Sequence, residues 1–140
     1  MSNLLVHPQT KPLSGTVTVP GDKSISHRAI MLAAIAEGTS QIRDWLPAGD
    51  TLATLDAIQA LGIDVQVGNK SPGSWDLTVE GRGLFGLSQP ATALDCRNAG
   101  TCMRLLAGLM AGQSFPSILA GSRQLQLCFG TFLCIMLCHL

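Results

Sequence analysis

Two apolar rhythms alternate along this chain. Over residues 15–21, "GTVTVPG", threonine and valine alternate and stop at Pro20-Gly21, which predicts a short strand and a turn. Over 26–38, "SHRAIMLAAIAEG", the Ala, Leu, Ile and Met content predicts a helix stopped by Gly38. "SQIRDW" (40–45) predicts a strand. "GDTLATLDAIQALG" (49–62) predicts a second helix with Asp50 as its N-cap, Leu52, Leu55, Ile58 and Leu61 on one face, and Gly62 as its stop. "IDVQV" (63–67) and "WDLTVEG" (75–81) predict strands joined by a Gly- and Ser-rich turn. The order is β-α-β-α-β-β.

The pattern then restarts. "TALDCR" (92–97) predicts a strand, "GTCMRLLAGLMAG" (100–112) a helix and "FPSILAG" (115–121) a strand. "LAAIAEG" at 32–38 aligns with "LAGLMAG" at 106–112, a spacing of 74 residues. In that register Ser24 falls on Asn98 and Ser26 on Gly100. A repeat of this length predicts a duplicated supersecondary unit, each with a polar loop leading into an Ala-rich helix.

Charge alters the picture at those two loops. Charged residues make up only 13 % of the 140 and apolar ones 46 %, a composition that can build a core. Net charge is zero, which argues against a general nucleic-acid surface. Yet Lys23, Ser24, Ser26, His27 and Arg28 crowd one helix start against the single acid Asp22. A helix N-terminus offers free N–H groups and partial positive charge. Two cations and two hydroxyls beside it suit a small phosphorylated or carboxylated ligand. One serine would suffice as a cap. The second cluster, 95–104, holds Asp95, Arg97, Asn98, Gly100, Thr101 and Arg104. Asn98 or Thr101 can cap the helix, and Gly100 lets a ligand approach the backbone. Cys96 and Cys102 read as small buried hydrophobes. No GxGxxG or Walker A motif occurs in a phosphate-binding context, and His7, His27 and His139 are too scattered for zinc.

At "PGDKSISHRAIMLAAIAEG" and "NAGTCMRLLAGLMAG" the sequence resembles the 5-enolpyruvylshikimate-3-phosphate synthase family, over about Pro12 to Gly121. The UDP-N-acetylglucosamine enolpyruvyl transferases are similar in fold but carry Lys-Asn where this chain has Lys23-Ser24. The resemblance implies an α/β fold: a partial enolpyruvyl-transferase domain of repeated β-α-β-α-β-β units, one complete and part of a second. It implies an N-terminal strand and crossover over 1–20, an incomplete first domain over 21–123 and a divergent apolar tail over 124–140. It also implies transfer of the carboxyvinyl group of phosphoenolpyruvate to shikimate 3-phosphate, a step of chorismate and aromatic amino-acid biosynthesis and the target of glyphosate. By resemblance Lys23, Ser24 and Arg28 hold shikimate 3-phosphate, while Lys23, Asn98, Gly100 and Thr101 shape the phosphoenolpyruvate side. Arg104 is the helix's structural arginine. No cofactor, metal, nucleic acid or membrane is implied, and the full-length family is expected to be monomeric.

Two departures bear on activity. The chain is expected to be an N-terminal fragment without the acid and base residues of a second domain. The family's Asp-x-Ser-Leu-x-x-Arg-Pro segment reads "SRQLQLCF" here, with Ser122 for the aspartate and Cys128 for the arginine. A binding remnant without turnover is therefore the rival reading. The start lacks a basic and apolar leader pattern, and the five cysteines are odd in number without metal-ligand spacing. Both features predict a reduced, cytoplasmic compartment. After Arg123 no Lys, Arg, Asp or Glu occurs, and the apolar 127–140 stretch is shorter than the roughly 18 residues of a membrane span.

Overall fold

A computed structural model describes residues 4–8, 10–129 and 133–135 of the chain. The first predicted strand does not form. Residues 12–22 carry no regular element, and Val17 and Val19 are 87 % and 76 % exposed. Their alternation with threonine has no neighbouring strand among the described residues to make it a sheet face.

Helix α1 (Lys23–Ile35) begins three residues before the predicted start because Asp22 caps it. The Asp22 carboxylate accepts from the Ile25 N–H at 2.8 Å. Strand β1 (Glu37–Trp45) follows at once, so Gly38 lies inside a strand with φ +89° and does not stop the helix. Helix α2 (Gly49–Ala60) places Leu55, Ile58 and Leu61 in the core, as its spacing predicts. Its cap differs from expectation. The N-cap is Ala48, and Thr51 Oγ1 accepts from the Ala48 N–H at 2.9 Å, while Asp50 sits in the first turn.

Strands β2 (Asp64–Ser71) and β3 (Ser74–Arg82) form a hairpin, and β1 pairs antiparallel with the other edge of β3. The sheet order is β1-β3-β2. Leu77 and Val79 of β3 alternate into the core, where α1 lies against them. Gly81 permits that closeness: a Cβ there would stand 2.3 Å from the carbonyl oxygens of Ala33 and Ala36.

The second unit is β4 (Leu94–Asp95), α3 (Gly100–Ala111), β5 (Ser117–Ala120), α4 (Arg123–Phe129) and β6 (Leu133–Ile135). Strand β4 runs parallel to β5, and β6 pairs antiparallel on its other side. The strand predicted over 92–97 is only two residues long. Helix α3 packs on α1, α2 and β5, so Ile30, Ala34, Ile58, Leu106 and Met110 belong to one core. The fold is thus α/β, built from two successive related units. Helix α4, which begins where a divergent tail is expected, buries Leu125. The side chain of Cys128 and residues 136–140 lie outside the described part. Among the described residues no helix is long and apolar enough to cross a membrane.

Candidate anion-binding site

The chain enters α1 through a close approach that only glycine allows. A Cβ on Gly21 would stand 2.2 Å from the Asp44 carbonyl oxygen. Asp44 itself lies at φ +54°, where the β1–β3 register shifts between Ile42 and Trp45. Beyond this bulge Trp45 is buried, and its indole N–H donates to the Ser26 carbonyl at 3.0 Å. Ser26 Oγ donates to the Asp22 carbonyl at 2.8 Å and accepts from Leu46 N–H at 3.0 Å. Ser26 is therefore a buried fastener between α1 and the end of β1, not an outward donor.

Three helix N-termini meet at this end of the molecule. Lys23, first residue of α1, places Nζ 3.0 Å from Asp50 Oδ2 in the first turn of α2. Both side chains remain partly exposed, at 49 % and 36 %, so the pair contributes at most about 1 kcal/mol to stability. Its main effect is to aim the ammonium. Arg97, just before α3, donates from Nη1 to the Gly49 carbonyl at 3.5 Å and from Nη2 to Asp56 at 2.5 Å. The first turn of α2 is thus gripped from one side by Lys23 and from the other by Arg97.

The remaining predicted residues take distinct places. Ser24 is half-buried, and exposed Arg28 donates to its carbonyl at 3.2 Å. Asn98 is exposed, with Oδ1 accepting from Ser122 Oγ at 2.6 Å. Neither Asn98 nor Thr101 caps α3; the N-cap is Ala99, without a side-chain bond. Gly100 starts the helix, and Leu125 Cδ1 stands 3.5 Å from where its Cβ would be. Lys23, Asp50, Arg97 and Gly100 are thereby brought to one end. Arg28, one turn further along α1, also edges an apolar groove of about 510 Å³ between α1 and α3.

One turn below this ring lies a buried polar layer. His27 is fully buried, with Nδ1 2.6 Å from Thr54 Oγ1 of α2 and Nε2 without a hydrogen-bond partner among the described residues. Burial lowers the His27 pKa, against the opposing pull of Asp50; Lys23 and Arg28 lower it further. The unfolded state therefore binds more protons than the folded one below pH 6.5, the ordinary histidine value. Stability is full above that pH and is lost as pH falls through it toward the lower folded pKa. Urea midpoints at pH 7.5 and 5.5 check this: His27→Gln should show a smaller drop than the native chain, and an equal drop would refute the assignment.

Asp50 and Thr54 were not legible as site-forming residues from the apolar pattern of α2 alone. The available signal was Thr54 standing among buried positions, since a buried hydroxyl needs a partner.

These observations define an α/β unit of repeated design whose convergent helix ends carry the partly exposed cations Lys23 and Arg97. Residues 8–127 match the family EPSP synthase (3-phosphoshikimate 1-carboxyvinyltransferase). The chain belongs to that family. It is 47 % identical over 126 residues to the 3-phosphoshikimate 1-carboxyvinyltransferase of Citrifermentans bemidjiense, covering 90 % of this chain and 28 % of the relative. The protein of the same name from Coxiella burnetii is 52 % identical over 114 residues, covering 81 % and 25 %. EPSP synthase from Acinetobacter baumannii superposes with a TM-score of 0.70 at 45 % identity, over 78 % of this chain and 24 % of that one. The chain thus spans about a quarter of the length of the relatives it matches.

Proposed function

We propose that this chain supplies part of the substrate site of a 3-phosphoshikimate 1-carboxyvinyltransferase, operating in a reduced cytoplasm. In that reaction the carboxyvinyl group of phosphoenolpyruvate passes to the 5-hydroxyl of shikimate 3-phosphate and phosphate leaves. The observation that carries the reading is the convergence of three helix N-termini, with Lys23 aimed by Asp50 at the junction. Family membership supports it, together with the Lys23-Ser24-x-x-x-Arg28 segment, which separates it from the UDP-sugar transferases.

Each residue has a physical role in this reading. Lys23 offers a point charge between the two substrates, and Arg28 a planar fork for phosphate or carboxylate. Ser24 adds a hydroxyl at the same helix start. On the α3 side Asn98 keeps its amide N–H₂ for phosphoenolpyruvate while Oδ1 is held by Ser122. Gly100 and Thr101 set the space above the first turn of α3.

Shikimate 3-phosphate is expected to bind this chain more tightly than phosphoenolpyruvate, because its three proposed contacts lie together on α1. Arg28→Ala should weaken that binding by about 1.5 to 3 kcal/mol, the scale of a charge-assisted hydrogen bond. Titration calorimetry is the test, and equal affinities for the two chains would remove Arg28 from the site.

A further inference from the structure

We infer, resting on the reading of Asn98 as a phosphoenolpyruvate contact, that Ser122 is a positioning residue. It holds the Asn98 carboxamide by its oxygen, so that the NH₂ group faces outward. Two bonds on Ser122 Oγ decide which way the amide lies. The oxygen accepts from the Leu125 N–H at 3.3 Å and stands 2.6 Å from Asn98 Oδ1. Among the described residues no other acceptor takes the hydroxyl hydrogen, so it goes to the amide oxygen. The length agrees: 2.6 Å suits an O–H···O bond and is short for N–H···O. Asn98 is exposed, and its NH₂ group makes no bond among the described residues. Its two donors are left for a carboxylate or phosphate oxygen, and a cationic amine is refused.

Ser122 can impose this direction because it is itself fixed. Its N–H donates to the Arg97 carbonyl. Arg97, at φ +51°, is held in turn by its N–H on Asp95 Oδ1 at 2.8 Å and by its guanidinium on Gly49 and Asp56. On the other side, Ser122 closes the first turn of α4 through the Leu125 N–H, and Leu125 is buried. Leu125 Cδ1 lies over Gly100, and its Cδ2 would stand 2.6 Å from a Cβ on Gly121, so the chain passes there as glycine. The first turn of α4 is thus a strut under the start of α3, and Ser122 is the point where it meets Asn98.

Replacements at Ser122 separate this role from capping. Ser122→Thr keeps the hydroxyl. Ser122→Asp keeps an oxygen to cap α4 but at neutral pH has only acceptors. The full chain is isotope-labelled, and the Asn98 NH₂ signals are assigned by their loss in Asn98→Ala. In the native chain and in Ser122→Thr they should show the shift and water exchange of an unbonded carboxamide. In Ser122→Asp the amide should turn over, moving one N–H downfield and slowing its exchange. Millimolar phosphoenolpyruvate should shift the pair in the native chain and in Ser122→Thr, but not in Ser122→Asp. A native pair already downfield and protected overturns the role of Ser122 without any variant having to fold. A pair unmoved in Ser122→Asp overturns it too, whatever phosphoenolpyruvate does. An amide that turns in Ser122→Asp, while phosphoenolpyruvate leaves the native pair unmoved, sustains the role of Ser122 and removes Asn98 from the substrate site.

Discussion

Incubated with shikimate 3-phosphate and phosphoenolpyruvate, a polypeptide of these 140 residues releases no phosphate above a protein-free blank. The reason lies in what surrounds Lys23. Enolpyruvyl transfer needs a base for the attacking hydroxyl and an acid for the vinyl carbon, each within hydrogen-bond reach of its proton. Of the groups near the helix ends, Asp50 is engaged by Lys23 and Asp56 by Arg97. His27 is sealed below the surface with Nδ1 against Thr54. Asp22 caps α1 and Asp95 accepts from the Arg97 N–H, so the described carboxylates at these helix ends are already engaged. Enzymes lower such barriers by about 8 kcal/mol or more, so losing this part of the machinery removes turnover altogether. A coupled phosphate-release assay decides it. Turnover well above the blank that disappears in Lys23→Ala would show that one of these engaged groups does the proton work.

Trp45→Ala should cost about 3 to 5 kcal/mol of folding stability, the range for truncating a large buried aromatic. Trp45 is 1 % exposed, its ring lies 6.0 Å from that of Trp75, and its indole N–H holds the Ser26 carbonyl. The change opens a cavity and also removes the indole hydrogen bond to a carbonyl in the first turns of α1, two residues from Ser24. Trp45→Phe separates the contributions: it keeps most of the volume and loses the hydrogen bond, at about 1 to 3 kcal/mol. Trp75 remains as the fluorophore for denaturant titration. A Trp45→Ala chain within 1 kcal/mol of the native one would mean that Trp45 does not hold α1 against β1.

The apolar spacing of α2 and the alternation in β3 were readable because local burial alone decides them. Leu55, Ile58 and Leu61 face inward whatever caps the helix, and Leu77 and Val79 do so whichever strands flank β3. The alternation at 15–21 forms no strand, because alternation does not create a partner. The helix ends differ from the local pattern for a related reason. Asp22, Thr51 and Ala99 take their places from how the chain enters each helix, through Gly21 against Asp44 or through Arg97 at φ +51°, and those approaches are tertiary. That Lys23, Ser24 and Arg28 gather at one helix start was legible because a local concentration of charge is itself a signal. Asp50, the partner of Lys23, was not, since an acid early in a helix already has a local explanation.

Strand order carries a consequence for how the protein is made. β3 is the middle strand of the first sheet, yet it is the last of the three in the chain. While a ribosome has extruded only β1 and β2, neither has a neighbour in this sheet, and the apolar sides of α1 and α2 have no Leu77 or Val79 to close on. The nascent chain therefore stays open until Arg82 has emerged, several seconds at about 5 to 20 residues per second, and then closes as one event. A ribosome-bound chain stalled so that residues 1–73 have cleared the exit tunnel should be cut readily by protease throughout. One stalled with residues 1–90 outside should protect the whole stretch from α1 to β3.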